Sequence, residues 1–312
     1  MRAFIFPGQG SQSVGMGVAL AEASRTARDV FHEVDEALGQ NLFRLMREGP
    51  DDELKLTENA QPAIMAHSIA VFRALTKDGG VDLENAASFV AGHSLGEYSA
   101  LCAAGSFDLV TTAKLLRTRG RAMQEAVPVG EGAMAALLGA DLALAKKIAD
   151  AAAEGQVCTV ANDNDPSQVV ISGTKAAIDR AIQIAKDMGA KRAVPLPVSA
   201  PFHCPLMQPA ANAMADALSY VVVADPLVPL VANVTAEPTS DPDTIRNQLV
   251  EQVTGMVRWR ESVANMAEAG VEEFIEIGGK VLGPMVKRIA PDAKVTSLVS
   301  IDDIEALAKE IA

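Results

Sequence analysis

Ser94 stands in Gly92-His93-Ser94-Leu95-Gly96, after the apolar run Ser88-Phe89-Val90-Ala91 and before a helical pattern that starts at about Leu95. A strand, a glycine-flanked serine and a helix make the setting of a nucleophile elbow. The glycines allow a turn that Cβ atoms would block. The hydroxyl is held out, and the N–H groups of the helix start face any anion that forms beside it. The plainer reading is a glycine-rich β-to-α turn whose serine caps a helix. A serine nucleophile needs a base, and there are four histidines to choose from. His32 and His67 fall in amphipathic helical patterns and read as structural. His93 adjoins Ser94, but neighbouring side chains diverge. His203, in Ser199-Ala200-Pro201-Phe202-His203-Cys204-Pro205, follows a strand end and precedes a helix opened by Pro205. That is a loop at the carboxyl edge of a sheet, where catalytic groups collect, so His203 is the expected base.

Arg119 adds a cation. Asp108–Glu125 reads as a helix with Leu115, Leu116, Ala122 and Met123 on one stripe. Arg117 and Arg121 fall opposite, whereas Arg119, three and four residues from those apolar neighbours, falls on the stripe itself. A buried arginine requires an anion. The helix after Ser94 turns at Gly105-Ser106 and the next one returns. Ser94 lies about 10 residues before that turn and Arg119 roughly a dozen after it, so at ~1.5 Å per residue the two stand at similar height on antiparallel neighbours. The guanidinium is then placed to grip a substrate carboxylate beside the serine; an internal ion pair, with Glu97 as partner, is the alternative. The loop Phe6-Pro7-Gly8-Gln9-Gly10-Ser11-Gln12 has glycines that let N–H groups face a ligand. It lacks the Lys-Ser/Thr ending of a phosphate-binding P-loop, which favours service to an oxyanion.

The elements that must hold these groups alternate between strand and helix, which argues for a mainly parallel sheet. Arg2–Phe6 reads as the first strand, Arg25–Leu38 as an amphipathic helix, and Gln61–Lys77 as a second helix with Pro62 in its first turn. From Glu131 to Pro197 the order becomes βαββαβ: strands Ala133–Leu138, Val157–Ala161, Gln168–Ile171 and Arg192–Leu196, helices Leu142–Ala153 and Lys175–Met188, and a turn-rich Asn162-Asp163-Asn164-Asp165-Pro166-Ser167. That is a ferredoxin-like pattern. It predicts a small domain, residues 131–197, inserted into a larger one made of 1–130 and 198–312. The larger one resumes with a strand near Leu227–Val231, helices near Thr244–Gln252 and Trp259–Ala269, strand Glu272–Ile277, a helix around Val281–Ile289, strand Lys294–Leu298 and a terminal helix.

With 312 residues, 49% of them hydrophobic, the chain can bury a large core. The formal charge of −13 argues against nucleic acid or an anionic membrane as the main partner. Cys102, Cys158 and Cys204 form no metal or redox spacing, so no metal is expected. With no signal-peptide or membrane-spanning pattern, they suggest a reducing, cytoplasmic setting.

Taken together, the segments around Gln9, Gln61-Pro62-Ala63, Gly92-His93-Ser94-Leu95-Gly96-Glu97-Tyr98, Arg119-Gly120 with Met123-Gln124, Val169-Val170-Ile171-Ser172-Gly173 and Phe202-His203 resemble the malonyl-CoA:acyl carrier protein transacylases of type II fatty-acid synthesis. The resemblance covers nearly the whole chain. It implies a hydrolase-like α/β domain around the ferredoxin-like insert. It implies malonyl transfer from malonyl-CoA to acyl carrier protein by ping-pong chemistry through a malonyl-Ser94 ester, with coenzyme A as the substrate's carrier and no resident cofactor. By the same resemblance, His203 moves the proton, the Gln9 and Leu95 N–H groups bind the oxyanion, and Arg119 binds the free malonyl carboxylate. An amide or carbonyl acceptor at Gln252 orients His203. Phe202 and Leu95 resemble malonyl-selective rather than methylmalonyl-selective members; physically, a phenyl ring leaves less room beside the α-carbon. An acidic chain and an acidic carrier need a local basic patch to dock, for which Lys191-Arg192 and Lys287-Arg288 are candidates. Two readings stand against transfer. A serine hydrolase, such as a thioesterase or patatin-like lipase, shares Ser94 but has no need of Arg119. A non-catalytic carrier-binding module needs neither.

Overall fold

A computed structural model describes residues 1–198 and 200–311; Ser199, in the His203 segment, and Ala312 lie outside the described residues. Two sheets organise it. Numbering strands in chain order, the first sheet contains β1 (Arg2–Phe6), β2 (Phe89–Gly92), β7 (Leu230–Val231), β8 (Pro238–Thr239), β9 (Glu273–Ile277) and β10 (Lys294–Leu298). Its order is β10-β9-β1-β2-β7-β8. All pairings are parallel except the last, β7 with β8. β1 sits inside it, with Ala3, Phe4, Ile5 and Phe6 fully buried. That is the expected condition of a parallel strand covered on both faces, and it explains why its sequence is a continuous apolar run rather than an alternation.

The second sheet is antiparallel, in the order β4-β5-β3-β6, from β3 (Gly132–Leu138), β4 (Cys158–Asp165), β5 (Gln168–Thr174) and β6 (Arg192–Pro195). Here alternation decides what faces what. Ala135 and Leu137 of β3 join Val169 and Ile171 of β5 in an apolar cluster with Ile148 and Ile178, from helices Leu142–Ala153 and Lys175–Ala185. Met134 and Ala136 point the other way, into the core shared with the first sheet. In β2 both faces are apolar: Phe89 and Ala91 pack in one cluster and Val90 in the other.

Helix ends lie where capping chemistry puts them. Ser24 accepts from the Ala27 N–H before helix Arg25–Leu38, and Gly39 closes that helix at φ 58°. Asp108 accepts from the Thr111 N–H before helix Leu109–Glu125. Two expectations need correction. Helix Thr57–Arg73 starts a turn earlier than Gln61, so Pro62 is inside it, not in its first turn. Nearly the whole helix is buried, and packing outweighs the one backbone bond that proline forfeits. Asn162-Asp163-Asn164-Asp165 is not a turn but the end of β4, and all four residues are buried. Turn-prone residue types were carried into a strand because their side chains have partners there. Asp163 receives Arg260 (2.8 Å) and Asp165 receives Arg288 (2.8 Å), both from helices flanking the first sheet. Beside them the Val257 N–H donates to Ala161 O and the Asp163 N–H to Val257 O, each at 2.9 Å. β4 is therefore the strap that fixes one sheet to the other. No helix among the described residues is long and apolar enough to cross a membrane.

Replacing Asp163 by Ala removes a charge-assisted pair worth about 1.5–3 kcal/mol. A lower midpoint in thermal or urea unfolding is expected, with the far-ultraviolet circular dichroism of the folded state retained; an unchanged midpoint would show that the strap carries no stability.

Candidate active site

Ser94 occupies a left-handed backbone conformation, φ 54°, between β2 and helix Gly96–Ala103. Such a conformation is costly for a residue with a Cβ and persists only where its surroundings enforce it. The flanking glycines show how. A Cβ on Gly92 would come within 2.0 Å of the Gly96 carbonyl oxygen, and one on Gly96 within 2.3 Å of the Phe6 carbonyl oxygen. The elbow is wedged against the end of β1, where the His93 N–H donates to Phe6 O at 3.0 Å.

His203 is also left-handed, at φ 55°. Its Nε2 lies 2.7 Å from Ser94 Oγ and its Nδ1 2.8 Å from the Gln252 backbone carbonyl. A carbonyl only accepts, so Nδ1 carries the proton and Nε2 is left to accept from the serine hydroxyl. The orienting group is thus the main chain of helix Pro242–Thr254, a neutral acceptor where serine triads often have a carboxylate. Burial first, and the nearby Arg119 charge second, push the imidazole pKa down to about 3.

Arg119 points to the same spot. It is 1% exposed, and its guanidinium donates to Ser94 Oγ (3.1 Å), to Gln61 Oε1 (2.9 Å) and to Gln252 Oε1 (2.7 Å), while lying 5.7 Å from the centre of the Tyr98 ring. Its Nε has no acceptor, and no ion pair joins it to Glu97 or any other carboxylate among the described residues. Gly120 lets it reach this depth. A Cβ there would lie 2.6 Å from the Thr57 carbonyl oxygen and 2.7 Å from Glu58 Cα, so glycine permits helix Leu109–Glu125 to lie close on helix Thr57–Arg73.

A cavity of about 370 Å³ opens over Ser94 between the two sheets. Gln9, Gly10 and Gln12 line it from the loop after β1, Met134 and Asn162 from the antiparallel sheet, and Phe202 and His203 from the loop that joins the two. The N–H groups of Gln9 and Leu95 have no protein acceptor among the described residues. His93, the histidine set aside as a base, turns from the serine: its Nε2 meets Asn164 Oδ1 at 2.8 Å. His67 bonds the Gly278 carbonyl instead, at 3.1 Å. Of the basic pairs, Arg288 is bonded to Asp165 and Lys287 to the Ala293 carbonyl, whereas Lys191 and Arg192 are exposed beside β6. Among the described residues no group of three or more His, Cys, Asp or Glu side chains is disposed to hold a metal ion.

Asn233 escaped the sequence reading. Fully buried after β7, it accepts the Ser94 N–H at 2.9 Å and donates to the Gly92 carbonyl at 2.7 Å. It therefore clasps both ends of the strained elbow. Nothing in Ala232-Asn233-Val234 marks it; only the crossing of β7 beside β2 does.

An acyl transferase domain model matches residues 3–282. The chain belongs to the acyl transferase family. This acyl transferase is 46% identical to the malonyl CoA-acyl carrier protein transacylase of Escherichia coli K12, over 95% of each chain. It is 45% identical to that of Bacillus subtilis strain 168, over 97% of this chain and 95% of the relative. Among solved structures, an acyl-carrier-protein S-malonyltransferase from Bartonella henselae superposes with a TM-score of 0.97 at 53% identity, covering 99% of both chains. A malonyl-transacylase solved in complex with its type II PKS acyl-carrier protein superposes at 0.95 and 40% identity, over 99% of both chains.

Substituting Asn233 by Ala removes the acceptor of the half-buried Ser94 N–H and the donor to the buried Gly92 carbonyl, a loss of about 1–3 kcal/mol for the buried group. A lower unfolding midpoint and slower labelling of Ser94 by a serine-directed sulfonyl fluoride are expected. Labelling at the native rate would show that the elbow keeps its form without the clasp.

Proposed function

We propose that this acyl transferase moves the malonyl group of malonyl-CoA to the phosphopantetheine thiol of acyl carrier protein through a malonyl ester of Ser94. One observation carries the reading: a buried guanidinium, with no carboxylate partner among the described residues, 3.1 Å from the serine hydroxyl. A buried cation without a counter-ion is costly. A substrate that brings its own carboxylate meets that demand and is oriented by it, so Arg119 selects an acyl group that ends in a charge.

In the proposed first half-reaction Ser94 gives its proton to His203 Nε2 as Oγ adds to the thioester carbonyl. The oxygen that becomes negative accepts from the Gln9 and Leu95 N–H groups. As the carbon–sulfur bond breaks, the imidazolium returns the proton to the coenzyme A thiolate. The second half runs in reverse: the carrier's thiol gives its proton to His203 and attacks the ester, and Ser94 leaves with that proton. A neutral acceptor behind His203 suits a reaction in which the imidazole begins and ends each half neutral. Phe202, 7% exposed at the cavity wall, limits the room beside the α-carbon and supports malonyl over methylmalonyl. Exposed Lys191-Arg192 is the basic pair left to meet an acidic carrier. The three free thiols fit a reducing cytoplasm.

We also read residues 131–197 as a ferredoxin-like domain inserted into a hydrolase-like one formed by 1–130 and 198–312. Support comes from the insert's own apolar cluster and from its βαββαβ order, with the first and third strands central in the sheet.

Mixing the protein with radiolabelled malonyl-CoA should leave one malonyl group on Ser94, discharged by holo-carrier protein and absent in Ser94→Ala. Arg119→Ala should lower kcat/KM for malonyl-CoA about 10²–10³-fold, equivalent to about 3–4 kcal/mol, while uncharged acyl-CoAs lose far less. An equal loss for both would favour the hydrolase reading. Because His203 is neutral far below pH 6.5, the rate of Ser94 acylation should show no acid limb between pH 5 and 8. An inflection near 6.5, the ordinary histidine value, would contradict the assigned environment.

A further inference from the structure

Glu97 is a buried carboxylate beside the serine that the steps above do not use. It lies in the first turn of helix Gly96–Ala103 and is 1% exposed. Its partners are neutral: the Asn233 N–H donates to Oε1 at 3.3 Å, and Gln252 Nε2 donates to Oε2. The same Gln252 amide accepts from Arg119 through Oε1. One amide thus stands between the guanidinium and the carboxylate, bonded to both, and holds them apart. Had the two met directly, they would have formed a closed buried pair, with the arginine already satisfied.

We propose that Glu97 is a positioning residue that sets the charge of the acyl-carboxylate pocket through the Gln252 amide. Held neutral, it leaves Arg119 uncompensated and ready for the malonyl carboxylate. Once ionised, it cancels part of the field that draws that carboxylate in. The inference rests on the functional reading above and adds a pH-dependent control of affinity to it.

Burial, opposed by the Gln252 and Asn233 bonds and by the Arg119 charge, pushes the Glu97 carboxyl up to about 8. The groups around it do not titrate in that range. On its own helix, burial raises Tyr98 far above its ordinary value and Cys102 to about 11. On the neighbouring helix Arg119 is lowered by burial but remains a cation. Across the serine, His203 and His93 are both pushed down, as is His67 on helix Thr57–Arg73. The sign follows. Below pH 8 Glu97 is neutral and the pocket carries a full positive charge; above it, the net charge falls.

The test is single-turnover formation of the Ser94 ester from pH 6.5 to 9.5, read as half-saturation and maximal rate separately. For the native protein, half-saturation by malonyl-CoA should rise at least threefold from pH 7 to pH 9, with the maximal rate changing less. Inhibition by acetyl-CoA, which has no carboxylate to place, should not weaken in step. In E97Q, which keeps the shape and cannot ionise, the ratio of half-saturation at pH 9 to that at pH 7 should stay near one. A flat native profile, an equal rise in E97Q or a parallel weakening of acetyl-CoA would each overturn the inference. The malonyl–acetyl comparison decides the matter alone if E97Q does not fold. Absence of any Ser94 ester at pH 7 would instead sink the functional reading, so the two failures are distinct.

Discussion

A guanidinium in a dry interior is the constraint around which the site is arranged. Taking Arg119 out of water is expensive, and among the described residues no carboxylate is in contact with it, the usual remedy. Two side-chain amides, Gln61 and Gln252, and the serine hydroxyl take its N–H bonds instead. Amides satisfy hydrogen bonds without neutralising charge. The cation is therefore held in place yet remains electrostatically unspent. Gln252 does this while its main chain orients His203 and its Nε2 meets the Ser94 carbonyl at 2.9 Å. His203, Ser94 and Arg119 are thus all hydrogen-bonded to a single residue.

Around that group the fold supplies edges rather than surfaces. Ser94 comes from the end of β2, His203 from the connection returning from the antiparallel sheet, and Gln9 from the loop after β1. A parallel sheet brings the carboxyl ends of its strands to one side. The antiparallel sheet contributes no group to the proposed proton transfer. It forms the far wall of the cavity through Met134 and Asn162, and Asp163 and Asp165 tie it to Arg260 and Arg288 on the helices that flank the first sheet.

Legibility in the sequence followed how local each feature is. Helices Arg25–Leu38 and Leu142–Ala153 end where their patterns and caps end, because period and cap are written in neighbouring residues. Ser94 was readable from its flanking glycines, and Arg119 from a charge on an apolar stripe, since burying an arginine leaves a visible anomaly in periodicity. Residues 162–165 were misread because Asn and Asp suit turns; the arginines that hold them in a strand lie about a hundred positions away. Asn233 was silent for the same reason. Its partners are set by which strands lie side by side, and no spacing records that.

Gly120 extends this logic to substrate choice. It touches neither the serine nor the cavity, yet the absence of its side chain lets two helices approach closely enough for Arg119 to reach Ser94. The depth of the cation is therefore a property of helix spacing, not of the pocket lining. A lineage that widened that gap by a methyl group would withdraw the charge and leave every residue of the acyl cavity unchanged. On the proposed role of Arg119, acyl preference can then drift through the scaffold, in a place where comparison of pocket residues alone would register no difference.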